Sequence, residues 1–191
     1  MKIVIAGLTA FTISMATAQV WRQGVVVLKD ERVIAGKVAL IKPGLCLLDT
    51  NGTVVVYPPH KVSAVRYYDK QADINRHFMT WKNELSTVPV GYFLEVVSTG
   101  AIKIVRRNTS MTDDALMDNR DFEYYFIYQD NLIPIRKFIS QLFDRLPYTE
   151  HEQLVNYATA HRLSVRAPAD AIRLVLFYNK EVQAPTSIAG L

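Results

Sequence analysis

The chain has 191 residues, 22 basic and 18 acidic side chains, a formal charge of +4, one cysteine, and half of its residues hydrophobic. That apolar fraction excludes a disordered chain, and a single cysteine excludes an internal disulfide framework. So small a positive charge is not the dense basic charge of a dedicated nucleic-acid binder.

Residues 1–18 read MKIVIAGLTAFTISMATA. Lys2 gives a positive start, Ile3 to Met15 is uncharged and mostly apolar, and Ala16-Thr17-Ala18 is a small-residue A-x-A site. This is the pattern of a secretory signal, with cleavage expected before Gln19. The stretch is shorter than the roughly 20 apolar residues of a spanning helix, so no transmembrane anchor is expected after cleavage. Cys46 lies far beyond the cleavage zone, which argues against a lipoprotein anchor. Losing these 18 residues, one Lys among them, leaves 173 of the 191 and takes the charge from +4 to +3. The expected location is exported: periplasmic, cell-surface or extracellular. An exported chain with one cysteine has to be held by packing alone.

Short β-branched runs separated by turn residues begin after Trp21. Val25–Lys29 is a predicted strand, closed by Asp30-Glu31-Arg32. Val33–Ile41 is the next, and Gly36 inside it predicts a bulge or a bend, because a missing side chain lets a strand curl. Pro43-Gly44 is a turn. Leu45–Asp49 and Thr53–Tyr57 then flank Asn51-Gly52, a strong hairpin signal since both turn residues tolerate positive φ. Pro58-Pro59 stops that strand, and Val62–Tyr68 follows. Five short strands within about 50 residues predict a small curled sheet or barrel. Gln71–Leu85 stays open: Ile74, Phe78, Trp81 and Leu85 mark one helix face, while NRHFMTW also reads as an irregular strand.

Tyr92–Ser98 and Ala101–Arg107 form a second predicted hairpin around Thr99-Gly100. Phe122–Gln129 and Leu132–Ile135 form a third around Asp130-Asn131. Between them, residues 108–121 are polar, acidic and without period, and read as an exposed loop. From Pro134 the period changes. Ile135, Phe138, Ile139, Leu142, Phe143 and Leu146 make a full helical stripe that Pro147 ends. Thr149 and Glu152 fit a capping box for a helix ending near His161. Pro168 suits the first turn of a last helix carrying Ala171, Ile172, Val175 and Leu176. The expected class is α+β: an antiparallel β-rich body, a small curled or barrel-like sheet, over 19–135, then a short C-terminal helical segment over 136–182 and a loose tail over 183–191. The three helices fit either a small bundle or a layer on the sheet.

Several short motifs stand in order along the chain: Gly24, Leu28, Gly36 and Val38; Lys61-Val62 through Tyr67 and Asp69; Glu95-Val96-Val97 with Gly100, Arg106 and Arg107; a YYF strand; and Tyr178-Asn179. In these the chain resembles uncharacterised exported proteins of the Bacteroidota. The resemblance implies an exported β protein with a helical end, favours strand over helix at Arg76–Met79, and implies no activity.

The residues themselves point away from most chemistry. His60, His77, His151 and His161 have no metal-pair spacing and no HExxH. Asp113, Asp114, Asp118 and Asp121 lack calcium-loop spacing. Cys46 sits in an apolar strand and reads as a buried small hydrophobe. Nucleotide loops and a serine elbow are absent. Glu95 and Asp49 are the carboxylates a glycosidase would need, if they converged. No catalytic, cofactor or metal residue is assigned, and no cofactor is expected. Lys103, Arg106, Arg107, Tyr124 and Tyr128 form a candidate interaction surface, since Tyr binds at low entropic cost. The expected function is non-catalytic: an exported envelope protein binding an envelope protein or glycan partner, and no nucleic acid, through its sheet face or the 108–121 loop. The alternative is a hydrolase acting on envelope or extracellular polymers.

Overall fold

The computed structural model describes residues 20–41, 45–82, 91–109 and 122–182. The expected signal, most of the acidic loop and the tail lie outside the described residues.

Ten strands form one open antiparallel sheet: β1 (Arg22–Leu28), β2 (Val33–Ile41), β3 (Leu45–Thr50), β4 (Thr53–Tyr57), β5 (Val62–Asp69), β6 (Ile74–Lys82), β7 (Gly91–Ser98), β8 (Lys103–Asn108), β9 (Phe122–Tyr128) and β10 (Asn131–Pro134). Their order is β10-β9-β8-β7-β6-β5-β1-β2-β3-β4. Three helices follow: α1 (Phe138–Gln141), α2 (Tyr148–Ala160) and α3 (Pro168–Phe177). The α+β class expected from the sequence is the class observed. No helix among the described residues is long and apolar enough to cross a membrane.

The front of the sheet has to curl. Four strand spacings separate β4 from β5, about 19 Å if the sheet were flat. The link between them is one 3-10 turn, Pro59–Lys61, between extended steps. Such a link reaches about 14 Å. The curl wraps Val26, Val38, Cys46, Leu48, Val65, Tyr67 and Phe78 into one core, with Tyr57 of the edge strand packed on it. Close approach of the strands needs glycine at two paired positions. Gly24 faces Gly36 across β1 and β2. A Cβ on Gly24 would lie 2.4 Å from the Arg66 carbonyl oxygen, and one on Gly36 would lie 2.5 Å from that of Asp49. Gly36 makes no bulge, since the β1–β2 register runs unbroken through it. The irregularity sits instead at Val27/Leu28, where β1 meets β5.

The hairpin turns follow positive φ. Asn51 and Gly52 take φ of 53° and 85°. In the third hairpin the turn is Gln129-Asp130, at 48° and 58°, one residue earlier than the Asp130-Asn131 expectation. The open segment at Gln71–Leu85 resolves over its described part as a turn at 71–73 followed by strand β6, whose backbone pairs with β5 on one side and β7 on the other.

The helical end packs on the same sheet face as the curl, over β8–β10. Ile102, Ile104, Phe126 and Ile133 meet Phe138, Leu142, Phe143, Leu154, Leu174, Val175 and Tyr178 in a second core. The predicted helix over 135–146 is broken: a 3-10 turn (Ile135–Lys137), four residues of α1, and a second 3-10 turn (Phe143–Arg145). Its N-cap, Lys137, makes no side-chain cap bond. A helix this short has no stability of its own. Burial of Phe138 and Leu142, about 2 kcal/mol each, holds it in place. The stripe thus reports which residues reach the core, not an unbroken helix. The capping box does not form either. Helix α2 begins at Tyr148, and the His151 N–H donates to the Pro147 carbonyl, so Thr149 lies inside the first turn. Pro168 does occupy the first turn of α3.

Candidate functional site

Two cores share one sheet face, and the strip between them is charged. Asp69 on β5, Arg76 on β6, Glu95 on β7 and Arg106 on β8 form a ladder of alternating sign across four adjacent strands. Arg76 Nε donates to Asp69 Oδ2 at 2.8 Å, and its Nη1 donates to Glu95 Oε1 at 3.1 Å. Arg106 Nε donates to Glu95 Oε2 at 2.7 Å and its Nη2 to Oε1 at 3.1 Å. Arg106 then lies 3.9 Å over the Phe122 ring and donates to the Tyr124 hydroxyl at 3.4 Å. The register explains the row: Glu95 is paired with Phe78 on one side and Arg106 on the other, so all face the cores. Asp69, Arg76 and Glu95 are the buried charged residues of the described chain.

Burial pushes the Asp69 carboxyl up, but the Ala72 N–H, the Arg76 guanidinium and the Gln71 N–H outweigh it and hold it below its ordinary value. Burial likewise opposes charge on Arg106, and Glu95 more than restores it. Among the described residues no buried side-chain N or O lacks a partner. Every charge in the row is answered by its neighbour, so the ladder joins the two cores. Asp49 pairs with Lys37 on the opposite face and accepts the Gly52 N–H, so it does not converge with Glu95.

The other face of β7–β9 carries a different cluster. Leu94, Val105 and Ile127 are buried beneath Met79, Trp81, Tyr92, Val96, Tyr125 and Leu132. Above this floor Arg107 Nη2 donates to Glu123 Oε2 at 2.9 Å, the Tyr125 hydroxyl donates to the same oxygen at 2.6 Å, and the Arg107 guanidinium lies 5.2 Å from the Tyr92 ring centre. The Tyr125 hydrogen bond holds the Glu123 carboxyl below its usual range, against a smaller opposing effect of burial and with help from Arg107. Burial, then the bond to Glu123, pushes the Tyr125 phenol up to about 12. Both Arg107 and Glu123 keep 40% or more of their side chains exposed.

The five residues of the candidate surface divide between these faces. Arg106 and Tyr124 bond each other on the inner face, and Tyr124 and Tyr128 pack against the second core. Lys103 and Arg107 stand on the outer face, where Lys103 opposes Ile127 and Arg107 opposes Glu123. Tyr92 and Glu123 complete that outer group. Strand alternation alone separates Arg106 from Arg107, but no sequence signal names the cross-strand partners.

The histidines are scattered. His151 packs on Phe143, His161 packs tilted against Tyr157, His60 is exposed, and burial together with Arg66 lowers the pKa of His77. Among the described residues no three metal-capable side chains cluster. Cys46 is fully buried in the first core, and burial pushes its thiol up to about 12. A thiol reagent added to native protein is therefore expected to label Cys46 only at the rate of unfolding. Rapid labelling without denaturant would show that the β3 core opens. No family model, no curated protein and no solved structure matches the chain.

Proposed function

We propose that the chain is an exported, non-catalytic envelope protein that binds a protein or glycan partner through the outer face of β7–β9. One observation supports this reading: the outer face presents Tyr92, Arg107, Glu123 and Tyr125 over a filled apolar floor. Tyrosine supplies rigid amphipathic contact area, and arginine a planar fork for carboxylates or hydroxyls. The floor beneath them fixes their rotamers, so little freedom remains to be lost on binding.

The export half is read by intact mass: the mature protein is expected to begin at or near Gln19. The binding half is read by crosslinking in native envelopes and by retention on purified cell-wall glycan. Wild-type protein is expected to be retained by one of the two, with retention lost in Arg107→Ala. An exposed ion pair of this kind is worth about 0–1 kcal/mol, so the variant stays folded. Equal retention of both proteins, or release of soluble fragments from the glycan, overturns the reading.

A further inference from the structure

Among the described residues the sheet ends at two strands with a neighbour on one side only, and the two edges differ. The β10 edge is blunt: four residues end in Pro134, which lacks an N–H, and the chain turns at once into a 3-10 turn. The β4 edge is open. Val54, Val55 and Val56 are 51%, 41% and 52% exposed. The whole stretch 50–59, TNGTVVVYPP, carries no charge. Charges and prolines inside an edge strand are the usual guards against pairing, and this strand has neither.

Its backbone parity is set by the hairpin. The two-residue turn closes on the Thr50–Thr53 pair, which pairs onward as Leu48–Val55 and Cys46–Tyr57. These are the hydrogen-bonded pairs of such a hairpin. Thr53, Val55 and Tyr57 therefore bond to β3, while the N–H and C=O groups of Val54 and Val56 point away from it. No bond of a turn, loop or cap among the described residues uses them.

We propose that β4 pairs antiparallel with β4 of a second copy of this chain, about a two-fold axis through Val55. That register sets Val54 opposite Val56 of the other copy and Val56 opposite its Val54, so all four free groups on each strand are satisfied. It places no like charges together, because the strand has none. The turn on one side and Pro58, without an N–H, on the other leave this as the register that uses both valines. Pairing of β4 with β10 of another copy is disfavoured by Pro134, so the contact is isologous and closes at two chains. A five-residue strand pair buries well under the roughly 800 Å² per partner of a standard interface, which makes the dimer reversible.

Two variants test it. Val56→Pro removes an outward N–H and no bond to β3, a position where an edge strand tolerates proline. Val55→Cys sets two thiols across the axis, in a non-hydrogen-bonded pair about 4.5 Å apart at Cα, within disulfide range. By sedimentation from about 1 to about 300 μM, wild-type protein is expected to move from monomer to dimer, and Val56→Pro to stay monomeric. Under mild oxidant Val55→Cys is expected to form a crosslinked dimer. Val33→Cys, whose parent residue is 65% exposed away from this edge, is expected not to. A wild-type chain that is monomeric throughout, a Val56→Pro protein as dimeric as wild type, or equal crosslinking of the two cysteine variants overturns the proposal. The crosslinking comparison decides the matter if Val56→Pro fails to fold.

Discussion

Replacing Glu95 with leucine is expected to destabilise the protein by about 3–5 kcal/mol, the usual consequence of leaving buried charge uncompensated. Glu95 is 7% exposed, and its carboxylate accepts from both Arg76 and Arg106. Without it, two guanidiniums face each other across β7, with Asp69 as the remaining carboxylate of the row. The melting temperature should fall by on the order of 10 °C, as read by calorimetry. Glu123→Leu on the outer face is the control. That pair is half-exposed, so its loss should cost about 1 kcal/mol or less. Equal losses in the two variants would mean that the ladder is not a buried unit. The same row sets the response to acid. Asp69 holds its proton less tightly folded than unfolded, so its contribution is fully present above the unfolded value of about 4. It is lost as pH falls through the lower folded value. Asp69→Asn should therefore start less stable at neutral pH and lose less stability than wild type on going below about pH 4.

Asn179→Ala is expected to cost about 2–4 kcal/mol. The Asn179 side chain forms a two-point clasp: its Nδ2 donates to the Ile102 carbonyl at 2.7 Å, and its Oδ1 accepts the Ile102 N–H at 3.0 Å. Ile102 is fully buried, so both backbone groups would be left without a partner. Gly100 is the other half of the clasp. It takes a φ of 150°, and a Cβ there would lie 2.3 Å from Asn179 Cγ. Gly100→Ala should reproduce most of the loss. The two together should cost little more than one, because both open the same contact. Next to the clasp, Tyr178 donates to Glu150 Oε2 at 2.7 Å and ties the end of α3 to α2. Amide exchange at Ile102 gives the site-specific reading. An unchanged melting temperature with unchanged exchange in Asn179→Ala would show that the clasp carries no stability.

Much of the fold was legible where a local rule had one solution. Asn51-Gly52 could only be a tight turn, and the β-branched runs VVVLK and VSAVRYY read as strands, as β1 and β5 are. The Ile135–Leu146 stripe correctly named Phe138, Leu142, Phe143 and Leu146 as core. It did not reveal the break after Gln141, because periodicity records which side chains are buried and not how the backbone delivers them. The ladder was legible only as scattered parts. Asp69, Glu95 and Arg106 stood out in separate motifs, while Arg76 lay in a run compatible with helix or strand. Their meeting depends on the registers of three strand pairs, which no single strand encodes. The candidate surface had the same defect. Arg106 and Arg107 are adjacent in sequence and therefore opposite in a strand, and the partners that give Arg107 its setting come from β7 and β9.

The strand order also bears on how the chain assembles. Every pairing joins consecutive strands except β1 with β5, where Val27 meets Ala64. A hairpin closes with little loss of chain entropy, whereas this joint closes a loop that spans three other strands. During synthesis β1 has a partner on one side as soon as β2 emerges, and none on the other until Tyr67 is available. The curl that buries Cys46 therefore follows the β1–β4 hairpins, and until it forms the apolar edge of β1 is open to pairing with a stranger.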